Sequence, residues 1–369
     1  MAAPASKSPG SPRKVAVLGT GKVGRLVVHL LAGCGDYAIT AVDADPAGAQ
    51  AAAEGRPAVT PVTCDLSDTS ALAELLPGHD YVVSCAPFHL TAAVAQAAKD
   101  AGCHYIDPTE DVATTNLVKG LAKGAGQAFI PQCGLAPGFI SIVAHHIASG
   151  FDSLESVKMR VGALPVYPHN WLKYNLTWST DGLINEYCEP CDAVVDGKLV
   201  KVPPLADVER LNVDGLEYEA FNTSGGLGTL AETLAGKVRS LNYKSIRYPG
   251  HRDSIHLLLE ELGFKDDRAT LKAVMERSLP HTYQDVVLIF VTVTGSKGKR
   301  FAQKSYVKKI YADESGDEPW GAIQLTTAAG LCGVLDLHAT GVLPASGFVR
   351  QEDIPFDAFI ANRFGRAYA

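Results

Sequence analysis

The sequence predicts an α/β protein: a doubly wound parallel sheet, then a second α+β region on a mostly antiparallel sheet. Three observations carry this. Short apolar runs alternate with Ala-rich helical stretches over roughly the first 145 residues. The glycine-spaced turn Gly19-x-Gly21-x-x-Gly24 stands directly after the first run and directly before the first helical pattern. After Gly138 the pattern changes to alternating residues with Asp-Gly between β-type segments. Strands alternating with helices need crossovers and a parallel sheet covered on both faces, whereas period-two alternation suits antiparallel pairing.

In chain order, six strands are expected at Lys14–Leu18, Ala38–Asp43, Ala58–Cys64, Tyr81–Cys85, His104–Asp107 and Ala128–Gln132. That is the number in a full dinucleotide-binding fold. Between them, Leu26, Val27, Leu30 and Leu31 mark one helical face, and Ser70–Leu76 and Leu90–Ala101 are Ala-rich helices. Further on, Val157, Met159 and Val161 alternate, and Asp196-Gly197 suits a type I′ hairpin turn. Residues 285–294 and 300–311 read as a second, longer hairpin. Helices are expected from near Ser179 and over Ile255–Leu262, and Gly321–Leu337 is a last apolar helix. The expected organisation is a tail at 1–12, a dinucleotide-binding domain at 13–133 completed by 321–369, and a substrate and dimerisation domain at 134–320.

Composition narrows the function. The chain has 369 residues, 47% of them hydrophobic and 20% charged, which fits packed cores rather than disorder. A net charge of −7 with no basic block argues against nucleic acid or an anionic membrane as partner. No apolar run reaches the roughly 18–20 residues of a spanning helix. The Ala/Pro/Ser-rich N-terminus lacks the apolar core of a secretion signal. Eight cysteines spread through apolar segments then read as reduced thiols of a cytoplasmic protein. The lone pair Cys188-x-x-Cys191 has no second ligand pair, so no metal is expected.

The glycine motif carries the first chemical expectation. Gly19 makes the tight turn, Gly21 lets the backbone approach a pyrophosphate, and Gly24 allows close helix–strand packing. With Thr20, Lys22 and Val23, these residues set a diphosphate on the helix N-terminus, where free N–H groups and the dipole favour an anion. Asp43 ends the second strand, 19 residues beyond Gly24, where an acid bonds the ribose hydroxyls. Its charge repels a 2′-phosphate, so NAD is expected in preference to NADP. Strand ends line the same crevice: Asp65 for the adenine amine, and Ser84, Ala86 and Pro87 past the nicotinamide ribose, followed by Phe88.

In the second region, Asn222-Thr223-Ser224 and the segment Tyr243–His251 gather polar groups around Arg247, a natural bidentate partner for a carboxylate. Tyr167, Trp171, Tyr174 and Trp178 recur at spacings of four, three and four, which fits core or a subunit contact on one helix face.

Four strings carry a family resemblance. They are Gly134-Leu-Ala-Pro-Gly138, Tyr174-Asn175 with Ser179-x-x-Gly182-Leu183, Phe221-x-Thr223-Ser224-Gly225-Gly226, and Tyr243-Lys-x-Ile-Arg247-Tyr-x-Gly250-His251. Together, over nearly the whole chain, they resemble the saccharopine reductase / lysine 6-dehydrogenase family of NAD(P)-dependent amino-acid dehydrogenases. The resemblance implies oxidation of a CH–NH group of a lysine-derived amino acid to an imine that is then hydrolysed, or the reverse reduction, in a homodimer. Asp107, Cys133 and His251 are then the catalytic candidates, with Glu110 a further acid–base position. Phe88, Asn175, Asn222, Thr223, Ser224 and Arg247 are the substrate-binding candidates. The Gly134–Phe139 string leans toward lysine 6-dehydrogenase and Cys133 toward saccharopine-acting members. An NAD-dependent synthase of homospermidine type and a non-catalytic NAD-binding sensor are the alternatives of other classes.

Overall fold

A computed structural model describes residues 11–314 and 318–369, so ten of the twelve tail residues lie outside the described residues. The first region alternates strands and helices: β1 (Arg13–Leu18), α1 (Lys22–Gly33), β2 (Tyr37–Asp43), α2 (Pro46–Ala53), β3 (Val59–Thr63), α3 (Thr69–Leu75), β4 (Tyr81–Ser84), α4 (Phe88–Ala101), β5 (His104–Ile106), α5 (Val112–Leu121) and β6 (Ala128–Ile130). Asp45, Asp68 and Asp111 cap α2, α3 and α5 by accepting main-chain N–H groups of the first turn. α6 (Phe139–Ala148) then leads into β7 (Ser153–Pro165), α7 (Thr180–Cys188), β8 (Cys191–Val195), β9 (Lys198–Val202), β10 (Glu209–Val213) and β11 (Leu216–Asn222). The chain continues through α8 (Leu230–Leu234), β12 (Val238–Arg247), α9 (His251–His256), α10 (Arg268–Ser278), β13 (Asp285–Lys297) and β14 (Arg300–Tyr311). It ends with α11 (Ala322–Ala339), β15 (Gly347–Phe348) and α12 (Phe356–Ala361).

The first sheet runs β15-β6-β5-β4-β1-β2-β3 and is parallel throughout. Order reverses between β1 and β4, the switch point where α/β sheets bind ligands. The second sheet runs β10-β11-β12-β7-β13-β14, with β8 and β9 attached to β12; only β12 and β7 pair in parallel. The expected fold class is therefore the observed one. The sheet has seven strands rather than six, because the two-residue β15 returns from the C-terminal segment to pair with Ala128 and Phe129.

One core spans both sheets. α6 and α11 lie between them and are buried on nearly all sides, as a helix with no polar stripe must be. The hairpin turn has Asp196 at φ 48° and Gly197 at φ 78°, the paired positive values of type I′. Two expectations change. The helix expected over Ile255–Leu262 is α9 continued by a π-helical turn at Leu257–Glu261. The aromatic spacing in 167–178 does not mark a helix face, because no helix forms there: Tyr167 and Trp171 are 71% and 89% exposed, while Tyr174 is buried. Among the described residues no helix is long and apolar enough to cross a membrane.

Candidate active site

A cavity of about 720 Å³ opens between the C-terminal edge of the parallel sheet and the second sheet. Gly19, Gly21, Lys22, Val23 and Asp43 line one end, and Ser84, Ala86, Pro87 and Phe88 the middle. Pro108–Glu110, Trp178, Glu186, Tyr243, Ser245 and Arg247 form the opposite wall.

At the glycine-rich end each glycine has its own reason. Gly19 has φ +92°, and a Cβ there would stand 2.8 Å from the Cys85 carbonyl oxygen. A Cβ on Gly24 would fall 1.8 Å from the Gly19 carbonyl oxygen. Gly21, the cap of α1, faces open space, and no side chain caps the helix there. Free N–H groups at an unfilled N-terminus suit a pyrophosphate. Thr20 is buried behind the turn, where its main-chain N–H and hydroxyl both donate to Asp43, at 2.7 and 2.9 Å. Burial works against the Asp43 charge, but the N–H groups of Asp45 and Thr20 and the Thr20 hydroxyl outweigh it, holding the carboxyl below the usual range. Asp65 lies outside the cavity, exposed, with its carboxylate turned back on Ser67. These groups fit a dinucleotide.

Below the floor, Asp107 is 1% exposed. One carboxylate oxygen accepts from the N–H groups of Thr109 (2.8 Å) and Gln132 (3.3 Å), and the Tyr105 hydroxyl faces the carboxyl. Ser84 Oγ and Tyr105 Oη are buried with it, the Tyr105 hydroxyl standing between the Asp107 carboxyl and Ser84. Burial pushes the Asp107 carboxyl up to about 6 and that of Glu110 up to about 7. Such values place a group where it can take or give a proton near neutral pH.

Two of the three catalytic candidates are otherwise engaged. The Cys133 thiol is fully buried, donates to the Ile130 carbonyl (2.9 Å) and accepts from Gln351 Nε2 (3.1 Å). Burial pushes it well above the ordinary thiol value, so a thiolate is disfavoured. His251 is 1% exposed and bonded through both ring nitrogens, to the Leu172 carbonyl (2.8 Å) and Tyr187 Oη (3.0 Å). Burial and then Arg247 drive its pKa down to about 3, so it is a neutral support, not a proton carrier.

Of the substrate-binding candidates, Phe88 and Arg247 line the cavity; Asn175, Asn222, Thr223 and Ser224 do not. The latter brace the wall. Thr223 Oγ1 lies 2.8 Å from Ser245 Oγ, Ser224 Oγ donates to the Pro190 carbonyl, and Asn222 Nδ2 donates to that of Pro203. Asn175 Oδ1 accepts a long bond from Asn170 Nδ2. The adjoining glycines make room for cavity residues: a Cβ on Gly226 would strike the Tyr243 ring at 2.3 Å, and one on Gly225 the Glu110 carbonyl at 2.5 Å. Arg247 itself is anchored by Nε to Tyr187 Oη and by Nη1 to the Ile246 carbonyl, both at 2.9 Å, with the Tyr174 ring 5.2 Å away. Trp178, expected as core or contact surface, lines the cavity instead, and so does Glu186, which the sequence does not single out. Neither spacing nor composition marks Glu186; only the packing of α7 against the cavity does.

The comparisons agree with this architecture. The family description "Saccharopine dehydrogenase NADP binding domain" matches residues 15–128 and "Saccharopine dehydrogenase C-terminal domain" residues 134–364. The mouse mitochondrial alpha-aminoadipic semialdehyde synthase is 26% identical over 303 residues, covering 78% of this chain and 32% of that protein. The saccharopine dehydrogenase [NADP(+), L-glutamate-forming] of Schizosaccharomyces pombe is 23% identical over 270 residues, 69% of this chain and 59% of that one. The chain thus spans about a third of the length of the mouse relative and 59% of the fission-yeast one. In fold it is similar to apo saccharopine dehydrogenase (L-Glu forming) from Saccharomyces cerevisiae, with a TM-score of 0.77, 17% identity and coverage of 94% and 95%. A homospermidine synthase from Legionella pneumophila in complex with NAD gives a TM-score of 0.68, 15% identity and coverage of 97% and 89%. The NAD preference argued from Asp43 stands against a family description that names NADP. With family descriptions covering most of both regions, the chain belongs to the saccharopine dehydrogenase family.

Proposed function

We propose that this chain is a nicotinamide-dependent oxidoreductase acting on the CH–NH group of a lysine-derived amino acid. The observation that carries it is the single cavity joining the glycine-rich turn to Arg247. One end fits a dinucleotide, and the other offers a buried guanidinium for a carboxylate. Within the reading, Gly19–Gly24 and Asp43 hold the dinucleotide, and Ser84–Pro87 lie along its nicotinamide half. Bound there, the nicotinamide accepts or donates the hydride. Arg247 fixes the substrate carboxylate bidentately. Asp107, held by the Thr109 and Gln132 N–H groups with the Tyr105 hydroxyl beside it, takes the proton from the substrate amine or from the water that hydrolyses the imine.

Asp43 supports NAD, and the family's own description supports NADP. Affinities for the two cofactors decide between them. Eight unpaired thiols, most of them buried, support a reducing compartment such as the cytoplasm. Phe301, Val307 and Tyr311, exposed on β14, offer apolar surface for a second copy in a homodimer.

The test is formation of reduced cofactor from NAD+ or NADP+ with L-lysine, saccharopine, ornithine and polyamines. Steady accumulation with a lysine-derived amine supports the reading. Conversion of a polyamine without net reduced cofactor replaces it with a synthase of homospermidine type.

A further inference from the structure

Glu186 has no part in the reaction outlined above, yet its position is costly. It is 6% exposed and lines the cavity from α7. Its main-chain carbonyl is held by the Ser224 N–H (3.0 Å), while its carboxylate accepts no hydrogen bond from the described residues. Arg247, 4% exposed, lines the same cavity and draws on the Glu186 charge. Arg247 spends two of the five N–H donors of a guanidinium on Tyr187 and Ile246, which leaves three. Among the described residues no hydrogen bond joins the Glu186 carboxyl to the guanidinium.

Buried charges are ordinarily paired and hydrogen-bonded, because burying one unpaired is expensive. Two such groups, unjoined and open to one cavity, fit a site whose charges are completed by a ligand carrying both signs. Burial pushes the Glu186 carboxyl up to about 8, and nearby Glu110 adds to this against the pull of Arg247. A ligand ammonium would restore its charge. Arg247 is fixed by its bonds to Tyr187 Oη and the Ile246 carbonyl, with the Tyr174 and Tyr187 rings 5.2 and 5.8 Å from the guanidinium carbon.

We propose that Arg247 and Glu186 form a receptor for the zwitterionic α-amino-acid head of the substrate, with Arg247 taking the carboxylate and Glu186 the α-ammonium. This deepens the oxidoreductase reading and rests on it for the identity of the substrate as an amino acid. It makes Glu186 a specificity-determining residue. A polyamine would set a cation against Arg247, and an acid lacking the α-amine would leave Glu186 unpaired. Leaving a buried group unpaired is how a polar site rejects an analogue.

The test is calorimetric binding to the full chain with reduced cofactor present, so that no amine can be oxidised. The ligands are L-lysine, ε-aminocaproate, which lacks only the α-amine, and cadaverine, which lacks the carboxylate. Wild type is expected to prefer L-lysine to both. Glu186→Gln is expected to weaken L-lysine by about tenfold or more while leaving ε-aminocaproate unchanged. Glu186→Asp is expected to restore part of the preference, and it decides alone if the Gln variant does not fold. The receptor is overturned if both ligands weaken equally, if neither changes, or if wild type does not bind L-lysine. Selective L-lysine binding without turnover of any amine sinks the oxidoreductase reading alone. Turnover with the ligand preference unmoved by Glu186→Gln sinks the receptor alone.

Discussion

The Asp43 carboxylate accepts both the main-chain N–H and the hydroxyl of Thr20, at 2.7 and 2.9 Å, so one side chain ties the end of β2 to the glycine-rich turn. It also lines the cavity and keeps its charge. Two consequences separate on substitution. Asp43→Asn removes the repulsion toward a 2′-phosphate, so the NADP-to-NAD affinity ratio is expected to rise by about tenfold or more. It also weakens charge-assisted bonds to Thr20, each worth about 1.5–3 kcal/mol, so the melting temperature is expected to fall. An unmoved cofactor ratio would remove Asp43 from the ribose site and leave it as the brace of the turn.

The glycines of that turn predict a second separation. Gly24→Ala puts a Cβ 1.8 Å from the Gly19 carbonyl oxygen, which no rotamer can relieve. The turn must open, so stability and dinucleotide binding are expected to fall together. Gly21→Ala meets no atom within 4 Å and has an extended backbone that Ala adopts, so only the poorer capping by Ala bears on stability. It is expected to fold with a slightly lower melting temperature than wild type, far less reduced than in Gly24→Ala, and to lose at least about tenfold in dinucleotide affinity, because the methyl occupies the phosphate's approach. Thermal unfolding with and without cofactor reads both; equal affinity in Gly21→Ala and wild type would move the pyrophosphate elsewhere.

What the sequence discloses here follows the length scale of the physics. Gly19, Gly21, Gly24 and Asp43 are legible because a turn, a helix N-terminus and a strand end are local, and each fixes a residue type at a set spacing. Thr223 and Ser224 were assigned to substrate because hydroxyls beside glycines suggest a ligand. Only the tertiary structure shows them bonded to Ser245 and Pro190, bracing the wall from behind. Glu186 was invisible for the converse reason: a lone acid in a helix is ordinarily solvated, and nothing local announces Arg247, 61 positions later, as its neighbour. β15 escaped notice because two residues carry no periodicity.

Asp107 links activity and stability with opposite signs. Its carboxyl is raised from 3.8 to about 6, so the folded protein favours its protonated form, and a cost builds as pH rises between those values and is complete above about 6. As a base it must be ionised, so kcat/KM is expected to rise with pH through about 6. Asp107→Asn keeps an oxygen for the Thr109 and Gln132 N–H groups and removes the charge. It is expected to gain about 1–3 kcal/mol of stability at neutral pH, to lose about two orders of magnitude or more in kcat, and to bind cofactor normally. Lower stability together with weaker cofactor binding would make Asp107 structural.

His251 gives the last prediction, and its sign is the reverse. Its folded pKa lies near 3 against an ordinary 6.5, because burial and Arg247 disfavour the imidazolium. The unfolded chain therefore binds the proton first, and the contribution of His251 to stability, fully present above pH 6.5, is lost as pH falls from there toward 3. From about pH 7 to about pH 5 the loss is on the order of 2 kcal/mol. Protonation would also set a cation beside Arg247 and disturb the bond from His251 through Tyr187 Oη to Arg247 Nε. His251→Gln is expected to flatten part of the acid slope; His338, whose pKa burial lowers to about 4, and His29, His79 and His104, which burial also lowers, contribute to the rest. It is also expected to raise the substrate KM with little change in kcat, since the residue supports Arg247 without handling protons. A kcat that collapses in His251→Gln while KM holds would return His251 to the reaction itself.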